Sequence, residues 1–541
     1  MIGTVLNKHW YFFSVLGILL IAVFIRFYQL ADVPHGMTWD EAAIGYNGYA
    51  VVHTRRDEWL NFLPVSFMSF GDYKAPLAIY MNGISTYLFG MNLFAVRLPF
   101  AVFSLLAILG IIILTEEIFE THRYKKLFAL LAGVLITTSP WHIHFSRAGF
   151  ESGIALAFII WGLLFCIKAL KADFKKPHLL FGAAVLFDAA IYTYHSAKIA
   201  LPVLGFIFIV LFSRQIITNL KRIVLPLTIF VVGLIPFILD SVFGKGLTRA
   251  GVTIFSSDLG LIQKLAYVIK SYAVHLSPEF LLRGETTTLR HGAGYLGVLF
   301  ITTFFLVTAG VISILRQSKK SSSFKYQLLS LGIIFAGLLP ASVAMEVPHA
   351  NRALLALPGF IFLAVFGLDY IINILEKSKL NIQVSGTHKE KNIVVKSFVG
   401  SMIAIHVLFS VSFVWHYFTN FAQASTNDFN DGYLEAFRLA QKYETGEGTE
   451  PVEKIIFTSD YGQPYIYALF VRKTNPIWYQ GGSLIKYEFT DKINMGDFLR
   501  KNTLIVGSGM DDLPIEQADH IIYGADGSVR FQFFRTKQSV E

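Results

Sequence analysis

Long apolar runs separated by short polar breaks fill the first 420 or so residues of this chain. A membrane-crossing helix needs about 20 mainly apolar residues. Such runs are read near 10–30, 94–117, 127–145, 150–169, 179–195, 198–213, 223–243, 294–315, 327–347, 353–375 and 397–418, roughly eleven spans. The fifth and sixth are short and share the turn from Tyr192 to Lys198. Beyond about residue 419 the pattern becomes that of a soluble domain. LEAFRLAQKYE (434–444) predicts an amphipathic helix, and VEKIIFTS (452–459) and NTLIVGSG (502–509) predict buried strands. IIYGADGSVRFQFF (521–534) alternates around an Asp-Gly turn and predicts a hairpin. The expected fold is mainly α, a polytopic membrane domain over 1–419 followed by a small α/β domain over 420–541.

Charge orients the spans. Basic clusters occupy alternate loops: Arg123 with Lys125 and Lys126, Lys171 with Lys175 and Lys176, Arg214 with Lys221 and Arg222, Arg316 with Lys319 and Lys320, and Lys377 with Lys379, Lys389 and Lys391. The positive-inside rule makes these loops cytoplasmic, with the N-terminus and a polar linker at 376–396. The acidic loop 31–93, the loop 244–293, the turn 348–352 and the C-terminal domain are then extracytoplasmic, in a cell (plasma) membrane. Of the 541 residues, 54% are hydrophobic and 15% charged, against about 25% charged in soluble domains. The net charge of +9 is dispersed among these loops, so it marks topology and not nucleic-acid binding. The single cysteine, Cys166, lies in an apolar run and excludes an intramolecular disulfide or a cysteine metal site. Residues 11–25 could pass for a signal peptide, but no cleavage-type site follows, and an uncleaved first helix is the reading.

The ionisable residues concentrate between Pro34 and Pro76, which holds Asp40-Glu41, Asp57-Glu58, and Asp72 with Lys74. AAIGYNGYAVV reads as a helix whose start Thr38 or Asp40 can cap. Neighbouring helical residues point about 100° apart, so Asp40 and Glu41 cannot both face one site. The plain alternative is an acidic N-terminal cap favoured by the helix dipole. Lys74, before Pro76 and the amphipathic LAIYMNGISTYLFG, can hold a lipid phosphate or simply snorkel to the headgroups. Arg97, Arg147, Glu151, Tyr194, His195, Glu346, His349 and Arg352 fall at outer span ends and would line one cavity if those ends converge. Asp188 is mid-span. In the loop 244–293, Arg283, Glu285, Arg290 and His291 read as polar anchors or as surface loop. The Gly-Ser-Gly at 507–509 is not a nucleotide loop, and there is no zincin motif, nucleophile elbow or paired-histidine metal spacing.

Taken in order, these motifs resemble the GT-C fold glycosyltransferases. Asp40-Glu41, GDYKAP (71–76), the LFG–N–FAVRLP passage (88–99), SPWHIHFSRAGFESG (139–153), YTYHSAK (192–198), LSPEFLLRGE (276–285), PHANRALLALPG (348–359) and DYGQPYIYALF (460–470) are similar to the protein O-mannosyltransferase-like group, glycosyltransferase family 39. That group, here of bacterial type, includes the aminoarabinose transferases of lipid A. The resemblance implies a polyprenyl-phosphate sugar donor and an acceptor hydroxyl on protein, lipid or glycan, joined on the extracytoplasmic face. Asp40 would be the catalytic acid residue. Lys74 would hold the donor phosphate, with Arg352 and His349 as further donor contacts. Glu41, Asp57, Asp72 and Glu151 would be secondary acids, Glu151 standing where many relatives have Asp. Tyr73, Arg147, Tyr194, His195, Arg283 and His291 are candidate cavity lining, and Glu58 is read as a solvating loop residue. No cofactor and no metal are expected, although Asp40, Asp57 and Asp72 form a set that can collect a divalent ion. The competing readings are a transporter or flippase of lipid-linked sugars, and an inactive lipid-binding relative. Transporters place charge at the bilayer midplane. Here the charges gather at one face, which favours an interfacial enzyme.

Overall fold

The computed structural model describes residues 2–244, 251–318, 322–377 and 388–536. Lys319, Lys320, Lys379 and the middle of the expected linker lie outside these residues. A helix meets every expected span. Among the described residues, seven helices are long and apolar enough to cross a membrane, and the bent pair Leu220–Gly233 and Ile235–Phe243 would make an eighth. The chain is therefore a multi-pass membrane protein. Three expected spans are met by shorter helices, Lys125–Thr138, Pro177–Ile191 and Ile301–Arg316. At 1.5 Å per residue these reach only about 21–24 Å. The first stops where Pro140 begins a new short helix, Pro140–His144, capped by the Ser139 hydroxyl accepting from the His142 N–H.

The chain divides into two units. The first comprises Met1–Tyr28, Phe100–Ser146 and Phe150–His416 and is helical. Its core is aliphatic and aromatic, and helices there approach closely where small residues meet. A Cβ on Gly310 would fall 2.1 Å from the Leu363 carbonyl oxygen, so only glycine permits that helix contact.

The second unit comprises Gln29–Pro99, Arg147–Gly149 and Tyr417–Glu541. Its sheet contains β3 (Lys454–Thr458), β4 (Tyr487–Thr490), β5 (Thr503–Ser508), β6 (His520–Tyr523) and β7 (Val529–Arg535), following a small hairpin of β1 (Phe67–Ser69) and β2 (Asp72–Lys74). The sheet order is β4-β3-β5-β7-β6, parallel across β4-β3-β5 and antiparallel across β5-β7-β6. The expected strands and the β6–β7 hairpin are thus present, as is the expected amphipathic helix, Tyr433–Thr445. The first long loop is part of this unit. Met37, Ala42, Ala43 and Tyr46 share one core with Tyr433, Phe437, Phe457, Tyr467, Phe470 and Phe531. The buried phenols are satisfied across it, Tyr467 donating to the Met37 carbonyl at 2.7 Å and Tyr46 to that of Thr474 at 2.9 Å.

Helix Trp39–Thr54 lies against helix Pro76–Phe89 at Gly48 and Gly83. A Cβ on Gly48 would stand 2.7 Å from the Gly83 nitrogen and 2.8 Å from the Ile79 oxygen, both backbone atoms. Gly48→Ala is expected to destabilise the protein by about 1–3 kcal/mol. Gly17→Ala, where nothing lies within 4 Å, is expected to be neutral. Thermal unfolding of the detergent-solubilised protein checks both.

Candidate active site

Thr38 caps helix Trp39–Thr54 through a capping box. Its hydroxyl accepts from the Glu41 N–H at 3.2 Å, and its own N–H donates to Glu41 Oε2 at 3.0 Å. Glu41 is fully buried, and Arg97 grips its carboxylate, Nε to Oε1 at 2.8 Å and Nη2 to Oε2 at 3.3 Å. The Gly149 N–H adds a further donor to Oε1 at 3.0 Å. Arg97 also donates to the carbonyls of Leu30, Pro34 and Gly36. Glu41 is therefore committed to holding the loop together. Asp40, one residue earlier, points elsewhere, as the 100° step requires, and its carboxylate pairs with the Lys74 ammonium.

Hairpin β1–β2 delivers that ammonium. Its tight turn puts Phe70 and Gly71 at positive φ, the twist that suits a two-residue hairpin. Lys74 closes β2 opposite Phe67, and Pro76 starts the next helix. The Lys74 side chain is 4% exposed and that of Asp40 40%. The pair thus presents a solvent-accessible carboxylate against a buried cation.

The remaining acids are placed differently. Asp57 is buried and accepts from the Trp59 and Asn61 N–H groups and the Asn61 amide at 2.8–3.0 Å, which ties its own loop. Asp72 accepts from the Tyr73 N–H at 2.8 Å, and Tyr73 is half-buried beside it. Glu151 sits in the first turn of helix Glu151–Lys171 in the first unit, where the helix dipole favours it. Glu58, expected to solvate the loop, is instead fully buried. Burial pushes its carboxyl up to about 8. Arg147 is also buried, donating to the Gln29 and Val33 carbonyls with the Phe418 ring 4.6 Å from its guanidinium.

In the first unit, Arg352, Tyr194 and His195 line a cavity of about 920 Å³. Lys198 joins them and was not singled out from sequence, although it closes the YTYHSAK motif one helical turn after His195. Its ammonium lies 4.3 Å from the centre of the Phe237 ring. The walls are otherwise largely apolar, with Ile199, Val252, Phe255, Leu265, Leu339 and Val343 among them. His349 is placed elsewhere in this unit. Its ring stacks on His291 at 4.5 Å, and His291 Nδ1 lies 2.8 Å from Glu285 Oε1. The His349 N–H donates to His275 Nε2 at 3.1 Å. Burial holds His275 below its ordinary value, in keeping with a neutral acceptor. Glu285, His291 and His349 offer ligand atoms within 4.8 Å of one another, a group able to hold a metal ion. A zinc tetrahedron with bonds of about 2.0 Å has edges near 3.3 Å, so these ligands would close in slightly around one. Sequence spacing could not show this group, because its members come from two separate loops. Arg283 is exposed, pairs with Glu279, and edges a crevice of about 20 Å³ with His291, room for about one water.

The fold is that of the GT-C membrane glycosyltransferases. The family described as dolichyl-phosphate-mannose-protein mannosyltransferase matches residues 73–239. Among solved structures, ArnT from Cupriavidus metallidurans bound to undecaprenyl phosphate is similar with a TM-score of 0.55 and 14% identity, covering 96% of this chain and 97% of that one. Its apo state gives a TM-score of 0.53 and 12% identity over the same shares of the two chains. The oligosaccharyltransferase AglB from Archaeoglobus fulgidus, in complex with an inhibitory peptide and a dolichol-phosphate, gives 0.49 and 15% identity over 86% of this chain. This chain spans 64% of the length of that protein. No curated protein matches in sequence.

The two halves of the Asp-Glu motif are expected to separate on mutation. Glu41→Gln leaves the Arg97 charge buried without its anion, a loss of about 3–5 kcal/mol. Asp40→Asn leaves the buried Lys74 ammonium facing an amide oxygen at a position open to solvent, and a smaller loss is expected, about 1–3 kcal/mol. Thermal midpoints and the yield of folded protein measure the contrast.

Proposed function

We propose that this protein transfers a sugar from a polyprenyl-phosphate donor to an acceptor hydroxyl at the extracytoplasmic face of the membrane, with inversion at the anomeric carbon. The observation that carries this reading is the cavity of about 920 Å³, whose apolar walls suit an isoprenoid chain and whose Arg352, Lys198 and His195 suit a phosphate. Arginine supplies a planar fork of donors and lysine a compact point charge. The resemblance to an ArnT structure bound to undecaprenyl phosphate supports the same class of ligand.

In this reading Asp40 accepts the acceptor's proton as its oxygen attacks the anomeric carbon. The bond from that carbon to the phosphate oxygen breaks, and the polyprenyl phosphate leaves with the electron pair. Lys74 has three N–H donors and so can hold the Asp40 carboxylate and a phosphate oxygen together. Its charge favours the negative charge growing on the leaving phosphate, which lowers the barrier. Glu41 and Asp57 serve structure, being occupied by Arg97 and by the loop's own N–H groups.

Purified protein in lipid vesicles, given a radiolabelled polyprenyl-phosphate sugar and cell-envelope acceptor fractions, tests the proposal. Label is expected to move from the lipid to the acceptor. Asp40→Asn is expected to lower the rate by about 10²–10⁴-fold, the range of general-base contributions. Lys74→Ala and Arg352→Ala are each expected to raise the donor KM by about tenfold, equivalent to 1.4 kcal/mol. Movement of intact donor between leaflets without transfer would establish a flippase instead.

A further inference from the structure

We infer that Glu58 is a positioning residue for the proposed reaction: its buried carboxyl fixes hairpin β1–β2, and with it the Lys74 ammonium, against the helix that carries Asp40. The inference rests on the roles proposed above for Asp40 and Lys74.

The connections run through one closed network. Glu58 Oε1 accepts from the Ser69 hydroxyl at 3.0 Å and from the Trp59 indole N–H at 3.1 Å. The Glu58 N–H donates to Asn47 Oδ1 at 3.0 Å, and the Asn47 amide donates to the Ser69 hydroxyl at 3.4 Å. Asn47 lies two helical turns beyond Asp40, on the same face. Ser69 ends β1 and is paired with Asp72, two residues before Lys74. The Trp59 indole N–H also reaches the Met68 carbonyl at 3.1 Å, so the hairpin is held at two consecutive residues. Later residues of the same unit close the network from another side. Gln480 donates to the Glu58 carbonyl at 2.7 Å, and the Tyr465 hydroxyl stands 3.5 Å from Oε1. Glu58, Asn47 and Ser69 are each at most 1% exposed.

The ionisable groups near Glu58 are Asp57 on its own loop, Tyr46 on the Asp40 helix, and Tyr465 and Tyr479 on the helices from the C-terminal part. On the hairpin, Lys74 is engaged with Asp40. Among the described residues no cation pairs with Glu58, and its Oε2 has no hydrogen-bond partner. Burial therefore keeps the side chain a neutral acid at pH 7, with the carboxyl pushed up to about 8. The Ser69 hydroxyl and the Trp59 indole N–H donate to Oε1, which accepts from them whether or not Oε2 carries a proton.

Two measurements on the full-length protein test this. In steady-state transfer, Glu58→Ala is expected to lower kcat by about 100-fold, the cost of a misplacement near 1 Å, with the donor KM changed by less than about threefold. Glu58→Gln, isosteric with the neutral acid, is expected to restore kcat to within about twofold at pH 7. A kcat for Glu58→Ala within about threefold of the parent overturns the inference. Hydrogen exchange followed by mass spectrometry is independent of activity. Glu58→Ala is expected to raise exchange in residues 67–74 and leave β3, β5 and β7 protected. Unchanged exchange at 67–74, or loss of protection throughout the sheet, overturns the inference. Raised exchange confined to 67–74, in a protein that transfers no sugar from any donor, leaves the positioning intact and removes the proposed function.

Discussion

The buried pair of Glu41 and Arg97 is the interaction on which the candidate site depends. Neither charge has access to water, so each is tolerable only with the other and with its further hydrogen bonds in place. Those bonds reach the helix cap at Thr38, the carbonyls of Leu30, Pro34 and Gly36, and the N–H of Gly149. One ion pair thereby sets the path of the chain after the first helix and the rotation of helix Trp39–Thr54. That rotation aims Asp40 toward Lys74. The acidic doublet is thus a division of labour forced by helix geometry, one carboxylate spent on structure and its neighbour left accessible.

A site on a loop is only as well defined as what supports it. Here the support is the core that the first loop shares with the C-terminal sheet and its helices. Tyr46 and Tyr467 add buried hydrogen bonds that only one register of packing satisfies, since an unpaired buried hydroxyl is costly. This gives the C-terminal residues a physical role: they are the platform on which the Asp40 helix rests. The cavity with Arg352 and Lys198 is a feature of the helical unit, built by apolar walls and a few cations. Under the proposed reading, lipid recognition and proton transfer are thus assigned to differently built parts of the chain.

Much of this was legible in the residues. Spans could be read because backbone groups inside a bilayer must bond within their own helix, which demands long apolar runs. The strands and the β6–β7 hairpin followed from local patterning and an Asp-Gly turn. The opposed directions of Asp40 and Glu41 followed from helical geometry alone. Less was legible where burial decides. Glu58 stands in a polar stretch beside Asp57 and reads as solvated, yet Asn47, Ser69 and Tyr465, distant in sequence, cover it. Arg147 reads as a cavity cation, but the carbonyls of Gln29 and Val33 enclose it. The short helices at 125–138 and 177–191 show that apolar composition sets where a helix runs only until a proline or a turn ends it.

By itself the sequence determined a multi-pass membrane chain, a polar C-terminal part with its strands, and the set of residues from which a site could be drawn. These are local properties: hydrophobicity, periodicity and turn chemistry act over a few neighbours. Only the tertiary structure decided which of those residues meet. It paired Asp40 with Lys74, enclosed Glu41 and Glu58, gathered Glu285, His291 and His349, and gave Arg352 a cavity to face. The reason is that a charged side chain takes its character from solvation and partners, and both are supplied by segments that sequence proximity does not identify.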